Sequence, residues 1–353
     1  MVAKGGSVKT VRIVLIGAGN LGRRFCRIVA ETGDRLQARH GLDLRLVGVA
    51  DSRGTAVDAR GLNGNALADL KESGRSVSAL PESGRPGMSG LDLLDAVDAD
   101  VLCEAGPVNL DRGGEPGLSH VRRALERGLH VSTPNKGPIV LAYRALMDLA
   151  KRNGVRLCFD GTVAGGLPAI ALGARDLRGA TIERIETVAN LTTGFVLDRL
   201  DGGASWDDAV AQARAAGVLE GDGAWDLDGW DAAAKLAILA QSVLDVDIAL
   251  DEIPRLGIRT LDPEAIRSSK DRGTIVRLLA TAERRPDGTY AFGVAPAELP
   301  AHHTLGRLGP KSMGIVYRTD LFGTLTATIE EDTPLPSAAT MLRDILTITR
   351  DNG

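Results

Sequence analysis

The residues best suited to chemistry lie between Leu219 and Ala240, in the stretch LEGDGAWDLDGWDAAAKLAILA. Five acids, Glu220, Asp222, Asp226, Asp228 and Asp231, crowd a glycine-broken loop and the start of a helix. One lysine, Lys235, follows Asp231 by four positions inside an Ala/Leu/Ile run. Positions i and i+4 share a helix face, so the Asp231 carboxylate and the Lys235 ammonium project into the same space. A proton donor can be held beside a carbonyl in this way. The commoner occurrence of such a pair is a solvated surface contact worth a few tenths of a kcal/mol. Two features argue against that here. Ala233, Ala234, Leu236, Ala237 and Ile238 surround the lysine with apolar neighbours, and a structural helix start needs only one N-cap acid.

A second constellation opens the chain. Val11 to Ile16 is a β-branched run that reads as a buried strand, GAGNLG follows at once, and RRFCRIVAETG reads as a helix. Between strand and helix, Gly17 permits the tight turn and Gly19 lets a pyrophosphate approach the backbone. Gly22 lets helix and strand pack closely, and free N–H groups at the helix start, near Asn20 and Leu21, face the phosphates. The second strand, Arg45 to Ala50, ends in Asp51, suited to the adenosine ribose, with Arg53 nearby, suited to a 2′-phosphate. Both are present, so NAD and NADP stay open. The gap from the glycines to Asp51 exceeds the usual twenty or so residues because ETGDRLQARHGLD extends the crossover.

The elements that must position these groups fall into two kinds. Residues 54 to 90 are Gly/Ser-rich with one helical patch and read as a wandering edge. Strands are expected at Asp100 to Ala105, turning at Gly106-Pro107, at His130 to Thr133 and at Val155 to Phe159. Helices are expected over Ser119 to Gly128 and Ile139 to Asn153, with Lys136 in a PNKGP loop past a strand end. Alternation of this kind implies an α/β fold with a doubly wound, parallel Rossmann sheet and a ligand crevice at its carboxyl ends. Later come a strand over Ile182 to Ala189, helices over 206–217 and 229–244, and a hairpin of GIVYRTD and TLTATIE across LFG. They imply an α+β second domain. The expected division is 1–160 and 161–336, with an apolar-faced helix at 337–353 packing back on the first domain.

Composition sets limits. A chain of 353 residues suggests two domains, and 44% hydrophobic with 25% charged residues is ordinary for a globular protein. A net charge of −4 and 3% aromatics disfavour nucleic acid and anionic lipid as partners. No apolar run is long enough to span a bilayer, and the first ten residues lack a signal-peptide core, so a cytoplasmic protein is expected. The three cysteines, Cys26, Cys103 and Cys158, are scattered and form neither a disulfide framework nor a zinc cage. His302 and His303 are adjacent in a Pro-flanked loop and suggest no metal.

Taken together, GAGNLG, HVSTPNKGP, FDGTVAGGLP, VANLTTGFVL and AGVLEGDGAWDLDGWDAAAKLAIL resemble, in order along nearly the whole chain, the short form of the homoserine dehydrogenase family. The last stretch keeps Gly217, Glu220, Asp226, Gly229, Asp231 and Lys235 at the family's spacing. The resemblance implies NAD(P)-dependent interconversion of L-homoserine and L-aspartate 4-semialdehyde, in threonine and methionine biosynthesis, by a homodimer joined through its second domain. It implies Lys235 as acid/base, with Asp231 and Glu220 holding the amino-acid substrate beside Asp226 and Thr192. It also implies Lys136 near cofactor and substrate, and contacts to the cofactor from Gly106, Gly217 and Glu220. A structural sodium site is implied at Asp160, Val163, Gly165 and Leu167, largely through carbonyl oxygens. Asp160 stands where the family has Glu and Ala164 where it has Gly, which weakens that last expectation. EEDTPLPSA near 330–338 replaces a Gly-rich segment and adds acidic charge where phosphates are expected.

Three rival readings are another amino-acid-linked NAD(P) dehydrogenase, a phosphorylating aldehyde dehydrogenase and a catalytically silent dinucleotide sensor. The second needs a nucleophilic cysteine on an exposed turn, and Cys103 lies mid-strand.

Overall fold

The structure, a computed structural model, describes residues 8–219 and 221–350. It divides into two compact units, one formed by residues up to Gly166 together with those from Thr333, the other by Leu167–Asp332. Glu220 lies outside the described residues.

The first unit is built on a seven-stranded sheet. β1 (Lys9–Ile16) runs into α1 (Asn20–His40) and returns as β2 (Leu42–Asp51). α1 is the long crossover that separates the glycines from Asp51. It is stopped by Gly41 in the left-handed conformation, whose N–H caps the carbonyls of Gln37 and Leu36. Next come β3 (Gly54–Val57), α2 (Gly64–Glu72), β4 (Gly84–Pro86) and α3 (Gly90–Ala96). β5 (Val101–Glu104), α4 (Gly117–Glu126), β6 (His130–Ser132), α5 (Lys136–Arg152) and β7 (Leu157–Cys158) complete the alternation. The strand order is β4-β3-β2-β1-β5-β6-β7. β2, β1, β5, β6 and β7 are parallel, and β1 lies where the order reverses. The crevice at that reversal is where such sheets bind dinucleotides.

Residues 54–90 do not wander. β3 and β4 add two antiparallel strands to the β2 edge, so the sheet is mixed. The physical reason is that Ala56, Leu67, Ala68 and Val77 are buried, apolar anchors spread through a stretch whose Gly/Ser content hides them. The C-terminal helix, Leu335–Arg350, buries Ala338, Met341, Ile345 and Ile348, and the last three join the core formed by β1, β2 and α1.

The second unit opens with a single helical turn, α6 (Ala169–Ala171), and β8 (Ile182–Val188). Then follow α7 (Leu191–Asp201), α8 (Trp206–Ala215), α9 (Ala224–Leu227), α10 (Trp230–Val243) and α11 (Pro263–Ser268). β9 (Thr274–Arg284), β10 (Tyr290–Pro300), β11 (Ser312–Thr319) and β12 (Gly323–Glu330) join β8 in an antiparallel sheet ordered β10-β9-β8-β11-β12. The β11–β12 hairpin pairs Ser312 with Glu330 through Thr319 with Gly323. No helix among the described residues is long and apolar enough to cross a membrane.

Candidate active site

In the second unit, α10 is buried almost all round, because Ala232, Ala233, Ala234, Leu236, Ala237, Ile238, Leu239 and Ala240 leave no wet face for most of its length. Asp231 in its first turn and Lys235 one turn later are its two charges, and their side chains are 7% and 12% exposed. Lys235 Nζ donates to Asp231 Oδ2 at 2.6 Å and to the Ala189 carbonyl at 2.5 Å. Asn190, two residues past β8, joins the cluster. Its Nδ2 donates to Asp231 Oδ2 at 2.7 Å and to Asp226 Oδ1 at 2.6 Å. Its Oδ1 accepts from the Thr193 N–H at 2.8 Å and so caps α7. A desolvated ammonium is therefore fixed between a carboxylate and a carbonyl, which satisfies the rule that buried charges be paired and hydrogen-bonded.

The acid-rich loop is not one functional group. Asp222 accepts from the Ala224 N–H in its own turn, and Asp228 pairs with Arg259 at 2.8 Å on the half-exposed side. Asp226 and Asp231 are the two turned to Lys235 through Asn190. Thr192 Oγ1 donates to the Val218 carbonyl at 2.5 Å, so its hydroxyl holds the chain just before Glu220. Gly217 lies exposed in the turn after α8. Asn190 and the Ala189 carbonyl were not singled out by sequence reasoning. The available signal was Asn at an N-cap position after a strand, which marks a helix start and not a site.

In the first unit, a Cβ at Gly17 (φ +99°) would overlap the Ala105 carbonyl, and one at Gly22 would overlap the Gly17 carbonyl oxygen. A Cβ at Gly19 would meet nothing within 4 Å. These glycines thus divide into two that allow close packing and one that leaves open space. The first turn of α1, with Asn20 and Leu21, carries no acid and no side-chain cap. Its unsatisfied N–H groups and positive end suit a pyrophosphate. The residues present fit a dinucleotide.

Asp51, expected at the adenosine ribose, also organises the chain around it. Its carboxylate accepts from Lys71 Nζ (2.6 Å), Ser76 Oγ (2.8 Å) and the N–H groups of Arg53 (2.9 Å) and Val77 (3.0 Å). Burial opposes its ionisation, but the Lys71 bond and the three others outweigh that and hold the carboxyl below its usual range. Arg53 is exposed and donates to the Gly74 carbonyl. Lys136 is not in a loop but is the first residue of α5, capped by Asn135. Pro138 is accommodated because a first-turn N–H has no helical partner to lose.

Around the expected sodium turn, Arg343 donates to Asp160 Oδ2 at 2.9 Å and to the Gly166 carbonyl at 2.8 Å. The Asp160 carbonyl accepts from Val163 N–H, and that of Leu167 from Ala169 N–H. Val163 is buried, and Ala164 and Gly165 both take positive φ. A guanidinium therefore occupies the carboxylate side of this turn, so a monovalent cation here would have to rest on the backbone carbonyls. Among the described residues no cluster of His, Cys, Asp and Glu has a metal-binding arrangement. In the acidic segment after β12, Asp332 pairs with Lys311 at 2.7 Å.

Two family descriptions match the chain, "Homoserine dehydrogenase, NAD binding domain" over residues 17–160 and "Homoserine dehydrogenase" over 168–346. An NAD(+)-dependent homoserine dehydrogenase of Pseudomonas canavaninivorans is 32% identical over 96% of both chains. The chain belongs to the homoserine dehydrogenase family. A homoserine dehydrogenase of Methanocaldococcus jannaschii is 30% identical, covering 95% of this chain and 98% of its own. Among solved structures, a homoserine dehydrogenase of Thermoplasma acidophilum superposes with a TM-score of 0.83 at 26% identity, over 97% of this chain and all of its own. A hyperthermophilic archaeal homoserine dehydrogenase in complex with NADPH gives 0.83 at 27% identity, over 97% and 98%. As a homoserine dehydrogenase the protein is an NAD(P)-dependent oxidoreductase of amino-acid biosynthesis, interconverting L-homoserine and L-aspartate 4-semialdehyde.

Proposed function

We propose that Lys235 is the group that gives a proton to the carbonyl oxygen of aspartate 4-semialdehyde and recovers it when homoserine is oxidised. What supports this is its ammonium, nearly buried and held at 2.6 Å from Asp231. Charge that grows on the substrate oxygen would meet a cation already desolvated and fixed, so little reorganisation opposes the transfer. Asp231 and Asp226, with Glu220 from outside the described residues, accept the substrate ammonium, and Thr192 steadies the 217–219 turn beside them. The nicotinamide, when bound, supplies the hydride to the carbonyl carbon and takes it back in reverse.

Gly17, Gly19, Asn20, Leu21 and Gly22 hold the pyrophosphate, with Gly106, Lys136 and Gly217 as further contacts to the dinucleotide. At the adenosine end Arg53 is the exposed cation suited to a 2′-phosphate, and Asp51 fixes the turn that carries it. The enzyme works in the cytoplasm as a homodimer joined through its second unit.

Lys235→Ala tests the central assignment. Turnover with homoserine is expected to fall at least ~1,000-fold, beyond the usual ~100- to 10,000-fold scale only if anchoring is lost as well. Dinucleotide affinity, read by nicotinamide fluorescence, is expected to stay within about threefold. A Lys235→Ala enzyme that keeps a tenth of wild-type turnover would remove the lysine from the mechanism.

A further inference from the structure

We propose that Glu104 is a positioning residue of the dinucleotide half, the one carboxylate that sets both the 105–107 turn and the corner carrying Lys136. Glu104 ends β5 with none of its surface exposed. Its Oε1 accepts from the Gly106 N–H at 3.0 Å, and its Oε2 accepts from Asn135 Nδ2 at 2.9 Å. The Thr133 hydroxyl donates to the Glu104 carbonyl at 2.8 Å, lies 3.3 Å from Oε2, and accepts from the Asn135 N–H at 3.0 Å. Among the described residues no lysine or arginine forms an ion pair with Glu104, and the buried His120 approaches Oε1 only to 3.8 Å.

Burying a carboxylate without a full countercharge is costly, so donors of good geometry must compensate it. Here those donors belong to the two loops that leave the carboxyl ends of β5 and β6. The first loop borders the glycine turn, since Ala105 N–H donates to the Ile16 carbonyl at 2.7 Å and Gly17 has no room for a Cβ beneath it. The second carries Lys136, because Asn135 Oδ1 accepts from the Gly137 N–H at 3.0 Å and starts α5 there. Glycine at 106 leaves space for the carboxylate, because a Cβ would lie 2.5 Å from Oε1. The groups that these loops hydrogen-bond to the two oxygens, the Gly106 N–H and the Asn135 amide, are both donors. A glutamine of equal size would turn its NH2 against one of them, releasing one loop while keeping the volume.

The inference rests on the roles proposed for the glycine loop and Lys136, and two variants separate it from them. Glu104→Gln breaks one of the two ties. Asn135→Ser keeps an oxygen able to cap α5 but removes the amide that reaches Glu104. Each is expected to raise the KM for the dinucleotide at least tenfold and to lower kcat at least tenfold, with the KM for homoserine within threefold. Melting temperatures, taken alongside, report any general loss of structure. Folded variants with wild-type dinucleotide KM and kcat would overturn the proposal whatever their melting temperatures, and so would equal rises in both KM values. Should Glu104→Gln fail to fold, Asn135→Ser decides alone. Wild-type enzyme inactive on homoserine would instead sink the underlying reading.

Discussion

At the scale of single residues, the site rests on how buried charge is neutralised. Lys235 and Asp231 lie on adjacent turns of one helix, and the Asn190 amide and the Ala189 carbonyl supply further hydrogen bonds. Another buried carboxyl lies in the first unit. Asp344, on the C-terminal helix, is buried and accepts from Ser132 Oγ at 2.7 Å. Burial drives its carboxyl up to about 7. The Ser132 hydrogen bond pulls down against this, the charge of Asp160 pushes up, and Arg343 pulls down. Because the folded-state value lies above the unfolded 3.8, the folded protein binds the extra proton between about pH 4 and 7. Stability therefore falls as pH rises through that window and stays reduced above it. Asp344→Asn, which keeps the acceptor and removes the charge, is expected to gain about 1–3 kcal/mol at pH 8 and little near pH 4. Denaturant melts at the two pH values would check this, and an equal effect at both would refute it.

At the scale of elements, the glycine turn separates packing from binding. Gly22 permits α1 to lie against β1, because a Cβ there would strike the Gly17 carbonyl oxygen, whereas Gly19 faces open space. Gly22→Ala is accordingly expected to lower the melting temperature of the ligand-free protein by several degrees, as overpacking at about 1–3 kcal/mol implies. Gly19→Ala is expected to leave it within about 2 °C while weakening dinucleotide binding at least tenfold, since the methyl enters the pyrophosphate's space. Calorimetry and fluorescence titration of the two variants form the test, and equal melting temperatures would argue against the division. The antiparallel edge shows a related economy. Asp51 closes β2 and simultaneously ties down Lys71, Ser76 and Val77, so one carboxylate organises the stretch that follows the second strand.

At the scale of the whole molecule, the chain is two units, with the C-terminal helix returning to complete the core of the first. The antiparallel sheet of the second unit carries a cavity of about 480 Å3, lined in part by Arg184, Leu256, Leu279, Thr281 and Ala297. The homodimer proposed above would cover this sheet face. Light scattering at micromolar concentration is expected to give twice the 37.0 kDa of one chain, and Thr281→Arg to shift it towards one. A wild-type mass of a single chain would exclude the dimer.

Sequence alone determined what depends on short-range spacing. The strand–GxGxxG–helix order, the Asp231–Lys235 pair and the β11–β12 hairpin are local patterns whose geometry follows from helix and strand periods. Tertiary structure decided what depends on residues far apart in the chain. Lys235 meets Ala189 across 46 positions, and Asn135 meets Glu104 across 31. No spacing rule reaches that far, because a hydrogen bond between distant segments is fixed by sheet order and core packing. For the same reason the loop of five acids looked uniform in sequence. Only folding turned Asp226 and Asp231 inward and gave Asp222 to its own turn and Asp228 to a surface arginine.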